Sequence, residues 1–137
     1  MENIDTDSNE PFTEAAVQQQ LLDHPDGYGV NTGRCGDTVE LFLKSHGHKI
    51  EQAHYRSDGC MATHLCALTV IELTHGRLIE HAWRLTADHI IAALPDLPED
   101  HHHCAELAVG ALYRALNDLR ENRQKPWARL YRGHRPR

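Results

Sequence analysis

From Thr38 onward, the hydrophobic pattern of this chain changes its period once, near Gly59-Cys60. Before that point, apolar and polar residues alternate, which predicts two half-buried strands over residues 38–44 and 49–56, joined by a turn at His46-Gly47-His48. After it, apolar residues recur at helical spacing. A hairpin followed by helices predicts an α+β fold, in which four to five helices pack on a small antiparallel sheet of two to three strands.

The remaining elements are predicted from capping residues, breakers and apolar stripes. Residues 29–34 have a weaker strand pattern, and residues 96–102 are predicted to form a polar loop. The first predicted helix covers residues 14–22, after the capping residue Thr13, and the second runs from Cys60 to a C-terminal cap at Gly76. A short helix is predicted over 78–83, and another from Thr86 to Leu94, where Pro95 ends it. The last helix begins near Cys104 and has an apolar stripe formed by Leu107, Ala108, Ala111, Leu112, Ala115, Leu116 and Leu119.

Charge divides the chain into an acidic body and a basic end. Residues 1–119 contain 7 Lys and Arg against 19 Asp and Glu, whereas residues 120–137 contain 7 against 1. An acidic body repels phosphate, so we expect no nucleic-acid partner for it. For the basic end, a solvated tail is the favoured interpretation, and contact with RNA or an acidic protein is the alternative. We predict a disordered N-terminus over residues 1–10, one domain over 11–122 and a basic tail over 123–137.

Two further observations concern the compartment. No stretch has the apolar length of a membrane span, and the acidic, polar start of the chain does not resemble a secretory signal. We therefore expect a cytoplasmic protein with no membrane partner, in which thiols stay reduced.

Three of the four cysteines lie at the ends of predicted elements, in the strings Gly33-Arg34-Cys35-Gly36-Asp37, Asp58-Gly59-Cys60 and His103-Cys104. Three thiolates with a carboxylate or an imidazole suit tetrahedral Zn²⁺ or an iron–sulfur cluster. The fourth, Cys66, lies mid-helix among apolar residues and is assigned to the core, while His101 and His102 are taken as solvated loop residues.

Local geometry predicts how these side chains meet. Because the start of one hairpin strand lies beside the end of the next, Cys35 and Cys60 should be neighbours, with Asp37 projecting on the same side as Cys35. The N-terminal ends of helices should favour the thiolate forms of Cys60 and Cys104.

The three cysteine strings, together with Leu97-Pro98 and the run from Gly76 to Ala93, resemble the IscU and NifU N-terminal family of iron–sulfur cluster assembly scaffolds. The resemblance covers residues 12–119 in the family's order and spacing. It implies an IscU/NifU-like fold and a scaffold rather than an enzyme. Cys35, Cys60 and Cys104 would be the cluster ligands and sulfur acceptors, Asp37 the carboxylate that makes the cluster labile, and His103 a possible fourth ligand.

The resemblance also implies cargo and partners. A cysteine desulfurase would supply sulfur, iron would be added, and a transient [2Fe-2S] cluster would pass to apo iron–sulfur acceptor proteins, with Zn²⁺ or Fe²⁺ occupying the same site at other times. Many members carry Leu-Pro-Pro-Val-Lys where this chain has Leu97-Pro98-Glu99-Asp100-His101, and the two acids argue against a dedicated Hsp70-type chaperone partner.

Two other functions fit part of the pattern. A zinc-bound sulfur acceptor, which stimulates a desulfurase without carrying a cluster, is the alternative; such relatives usually have a longer insert before the third cysteine and lack the preceding histidine. A zinc hydrolase would use three ligands and a carboxylate base, but the chain has no H-E-x-x-H motif.

Overall fold

The computed structural model describes residues 21–34 and 36–125 of the chain. After a short helical stretch at residues 21–23, these residues form three strands, β1 Gly27–Thr32, β2 Thr38–His46 and β3 Lys49–Asp58. Four further α-helices follow, α1 Met61–Thr74, α2 Ile79–Trp83, α3 Ala87–Ala93 and α4 His102–Gln124, with a 3₁₀ helix at Glu99–His101. The predicted α+β class and its order of strands before helices are confirmed.

The sheet is antiparallel in the order β1-β2-β3. The predicted hairpin forms, with Thr38 paired to Asp58 at its open end and Gly47, at φ 63°, in the turn at the other end. The weaker third strand also forms, but it begins two residues earlier than predicted, at Gly27. β1 passes so close to α4 that a Cβ at Gly29 would lie 2.3 Å from a backbone nitrogen of that helix. Gly27 and Gly29 therefore form the surface through which β1 contacts this helix.

The hydrophobic core lies between the sheet and α4. Alternate residues of β2, namely Val39, Leu41 and Leu43, are fully buried on the face toward the helices. They meet the predicted stripe of α4, all of whose members are buried: Leu107, Ala108, Ala111, Leu112, Ala115, Leu116 and Leu119. Burial of this apolar surface is the main term that holds the helix on the sheet.

Several helix ends follow the predicted capping signals. Gly76 adopts φ 75° directly after the end of α1, the left-handed conformation that glycine tolerates. Thr86 caps α3, where its backbone N–H donates to Nδ1 of His89 at 3.0 Å. Cys66 is fully buried in α1, as its assignment to the core predicted.

The segment before α4 differs from the predicted loop. Residues 99–101 form a 3₁₀ turn, and α4 begins at His102, two residues before Cys104. The earliest predicted helix lies mostly outside the described residues, although residues 21–23 are helical. Residues 1–10 and most of the predicted basic tail also lie outside them, and α4 continues to Gln124. Among the described residues, no helix has the length and apolar character needed to cross a membrane.

Candidate metal and cluster site

The open end of the β2–β3 hairpin places Asp37 beside Cys60. Asp37 precedes the strand residue Thr38, and Cys60 follows the strand that ends at Asp58, its pairing partner. Sγ of Cys60 consequently lies 3.9 Å from Oδ2 of Asp37. Cys60 is exposed and occupies the N-cap position of α1. Cys35 lies outside the described residues, so its predicted place beside Cys60 stays a prediction.

Helix α4 brings Cys104 to the same place from the other side of the core. Its side chain is fully buried, in the first turn of that helix. Oγ1 of Thr63, in the first turn of α1, lies 3.4 Å from Sγ of Cys104 and 3.5 Å from Sγ of Cys60. The same hydroxyl donates a hydrogen bond to Oδ2 of Asp37 at 2.7 Å.

Thr63 thus touches the thiols of Cys60 and Cys104 as well as the carboxylate, and sequence reasoning missed it. A threonine near a helix start is an ordinary residue, and nothing in the pattern distinguishes it from Thr69 or Thr74. Its position three residues after Cys60 could have identified it as a neighbour of that cysteine, because residues i and i+3 lie on one face of a helix.

Two glycines shape the site. A Cβ at Gly59 would lie 2.7 Å from Cγ of Asp37, so only glycine lets the strand end approach this carboxylate. Gly36, at φ 89°, has open space around its Cβ position, and its N–H donates to the carbonyl of Gly33 in the turn between β1 and β2.

Two imidazoles lie near Cys104. Nε2 of His103 is 3.7 Å from Sγ of Cys104, and His103 is exposed. The prediction that His101 is a solvated loop residue is wrong: its side chain is half-buried, and its Nδ1 is enclosed with no hydrogen-bond partner among the described residues. The 3₁₀ turn is the physical reason, because it runs directly into α4 and so holds His101 on the helical path in place of a loop.

Among the residues that the structure describes, Cys60, His101 and Cys104 form a group of three potential metal ligands. One atom from each, two sulfurs and a ring nitrogen, all lie within 4.8 Å of one another. Sulfur and imidazole donors suit Zn²⁺ and iron–sulfur clusters, whereas the nearby carboxylate of Asp37 is a harder ligand. The donor set therefore fits the thiophilic metals that the sequence predicts.

The thiols differ in acidity. Hydrogen bonds from the Thr63 hydroxyl and then from its backbone N–H lower the pKa of Cys60, which the solvent also reaches. Burial raises the pKa of Cys104, so the prediction that its helix end favours the thiolate is wrong for the metal-free protein. Burial also raises the pKa of the core thiol Cys66 to about 12. Of the three thiols that the structure describes, Cys60 is accordingly the one best suited to nucleophilic attack.

Cavities open on both sides of Cys104. One, of about 460 Å³, reaches His101 and is lined by apolar side chains that include Met61 and Leu65. The other, of about 520 Å³, reaches His103 and Glu106. Met61 is 69% exposed although it directly follows Cys60. Space beside the ligand group is thus available to another molecule.

Comparison with known proteins agrees with this geometry. Residues 15–126 match the family model described as NifU-like N terminal domain. The iron–sulfur cluster assembly scaffold proteins IscU 1 and IscU 2 of Archaeoglobus fulgidus are each 34% identical to this chain over 98 residues, which is 71% of this chain and 64% of theirs. The chain therefore spans a little under two thirds of the length of these relatives.

The fold has a counterpart among solved structures. The crystal structure of a nitrogen-fixing NifU-like protein (N-terminal) from Brucella abortus superposes with a TM-score of 0.55, at 15% identity, over 72% of this chain and 81% of that one. At this identity the likeness concerns the fold alone.

Proposed function

Since this chain belongs to the NifU-like N-terminal domain family, we propose that it is a scaffold on which iron–sulfur clusters are assembled. It accepts sulfur from a cysteine desulfurase, takes up iron, holds a labile [2Fe-2S] cluster and passes it to apo-proteins. Zinc occupies the same site when iron is absent. The cluster is cargo, and the protein is a carrier without catalytic turnover of its own.

One observation carries this proposal: Cys60 and Cys104, from different helices, converge on Thr63 beside the carboxylate of Asp37. Cys60 is exposed and has a lowered pKa, so it is suited to accept sulfur. Cys104 is buried next to it and is suited to hold the cluster. Cys35, named by the motif, completes the proposed set of three sulfurs.

Sulfur transfer fits the properties of Cys60. Its thiolate attacks the outer sulfur of a persulfide on the desulfurase, which forms a new S–S bond, breaks the donor's S–S bond and releases the donor cysteine as a thiolate. Oxidation states balance in this exchange. Conversion of the resulting persulfide to cluster sulfide takes two electrons, for which a dithiol reductant serves in the assay below.

Release of the cargo fits the character of Asp37. A carboxylate oxygen is a harder donor than a thiolate and holds cluster iron less firmly. Its contact with Cys60, at 3.9 Å, puts it where such a ligand would act. A site of three sulfurs and one oxygen should therefore give up its cluster more readily than four cysteines would.

The test is anaerobic incubation with a cysteine desulfurase, cysteine, ferrous iron and a dithiol. We expect the visible absorption of a [2Fe-2S] cluster, acid-labile sulfide, and transfer to an apo-ferredoxin. Alanine at Cys60 or Cys104 should abolish assembly, whereas Cys66→Ala, the matched control in the core, should retain it. Assembly that survives alanine at both site cysteines would refute the proposal. Desulfurase stimulation with retained zinc and no chromophore would favour the alternative of a zinc-bound sulfur acceptor.

A further inference from the structure

We propose that His101 is a metal ligand, and that it binds the incoming ion together with Cys60 and Cys104. This inference rests on the proposed function only in that it concerns the same site. It assigns a role to a residue outside the cysteine strings that define the family resemblance, at the position where many members carry lysine.

The backbone presents His101 to the site. Its N–H donates to the carbonyl of Pro98 at 2.9 Å, which closes the 3₁₀ turn directly before α4. From there, His101 and Cys104 are three residues apart on a continuous helical path, so their side chains lie on one face. His103 is adjacent to Cys104 instead, and neighbours on a helix project about 100° apart.

Distances among the donor atoms agree with a common ion. The two sulfurs and a ring nitrogen of His101 lie within 4.8 Å of one another. Donors of one tetrahedral Zn²⁺ ion, bound at about 2.0–2.3 Å, are roughly 3.5–4 Å apart. Small side-chain rotations therefore bring the group to the spacing that an ion requires.

The metal-free protein leaves His101 with an unmet requirement. Its Nδ1 is enclosed and has no hydrogen-bond partner among residues 21–34 and 36–125. Enclosure without a partner costs free energy, which most buried polar groups avoid by forming a hydrogen bond. Movement of the ring toward an ion, with one nitrogen bound and the other turned to a new partner or to solvent, removes that cost.

Charge also favours this trio. Two thiolates and a neutral imidazole balance a divalent cation, and the fourth position of a tetrahedral ion stays available to Asp37 or to an incoming ligand. His103 is exposed and stacks near His101, with ring centroids 6.2 Å apart. It therefore stands outside the enclosed group and serves as the comparison residue.

The experiment titrates Zn²⁺, and Co²⁺ as its spectroscopic substitute, into the reduced chain in competition with a chromogenic chelator. We expect His101→Ala to weaken binding of either ion by about 100-fold, and to alter the Co²⁺ ligand-field bands as one nitrogen donor is lost. His101→Gln, which keeps more of the side-chain volume, should weaken binding similarly. His102→Ala is the matched control and should bind as the unaltered chain does. Melting curves of the metal-free variants confirm that each is folded.

Unchanged affinity and unchanged Co²⁺ bands in both folded His101 variants would overturn the inference. So would a loss confined to His103→Ala. These results are distinguishable from failure of the proposed function. If the unaltered chain binds Zn²⁺ through His101 but assembles no cluster, only the scaffold proposal fails. If the unaltered chain assembles a cluster and the His101 variants bind Zn²⁺ normally, only the inference about His101 fails.

Discussion

Replacing Thr63 by valine removes the hydroxyl that joins the parts of the site while keeping the shape of the side chain. Thr63 is fully buried, and its hydroxyl donates to Asp37 at 2.7 Å and lies within 3.5 Å of the sulfurs of Cys60 and Cys104. The single proton of that hydroxyl serves one acceptor at a time. In the valine variant, neither Asp37 nor a thiolate has this donor.

The expected magnitude follows from these contacts. A hydrogen bond to a charged group contributes about 1.5–3 kcal/mol, but Asp37 is half-exposed, and water replaces part of the lost bond. We therefore expect the free energy of unfolding of Thr63→Val to fall by about 1–2 kcal/mol, or about 3–10 °C in melting temperature. The pKa of Cys60 should rise toward its ordinary value, although the backbone N–H of residue 63 still lowers it.

Two assays check this reasoning on the metal-free, reduced chain. Thermal unfolding gives the stability, and the pH dependence of iodoacetamide alkylation, followed by mass spectrometry of the Cys60 peptide, gives its pKa. Because the thiolate is the reactive form, the midpoint should move to higher pH in Thr63→Val. Thr69→Val is the matched control: Thr69 lies in the same helix, and its hydroxyl donates only to the carbonyl of Leu65 at 2.8 Å. An alkylation midpoint that is the same in both variants would show that the Thr63 hydroxyl does not act on Cys60.

Three more outcomes are expected. In the metal-free chain, iodoacetamide should modify Cys60 well before Cys104, because Cys60 is exposed with a lowered pKa and Cys104 is buried with a raised one; equal rates measured by peptide mass spectrometry would contradict the site geometry. Asp37→Ala should lengthen the lifetime of the assembled cluster in air, followed by its visible absorption, and a shorter or equal lifetime would remove the labilising role of the carboxylate. Gly29→Ala should lower the free energy of unfolding by about 1–3 kcal/mol, since its Cβ would overlap the backbone of α4. Gly33→Ala, whose nearest contact would be an ordinary 3.6 Å, should unfold in denaturant like the unaltered chain, and equal effects of the two would argue against close packing of β1.

Much of the fold was predictable because it depends on local patterns. Each correctly predicted feature depends on the conformational or burial preference of residues that are close in the chain. These features are the alternation over β2 and β3, the stripe of α4, the left-handed glycine after α1 and the cap at Thr86. β1 was harder to place, because its glycines are poor strand formers taken alone. The reason for glycine here is apparent only from the tertiary structure: a Cβ at Gly29 would lie 2.3 Å from the backbone of α4.

The site was predictable in part. Asp37, Cys60, His103 and Cys104 were named as candidates because unusual residue types lie at the ends of elements. Hairpin pairing explains why Asp37 and Cys60 lie close together. The direction of the pKa shift of Cys104 was predicted wrongly, because a helix end favours its thiolate locally while burial by the rest of the fold outweighs that effect.

The sequence by itself determined the order of strands and helices, the faces they bury and the chemistry available at their ends, since these depend on residues near one another in the chain. Only the tertiary structure decided which donors converge. Thr63 touches Cys104 across 41 positions of sequence, and a 3₁₀ turn carries His101 from an expected loop into an enclosed place beside two sulfurs. Contacts of that kind depend on how α4 packs against the sheet and α1, and no local pattern encodes that packing.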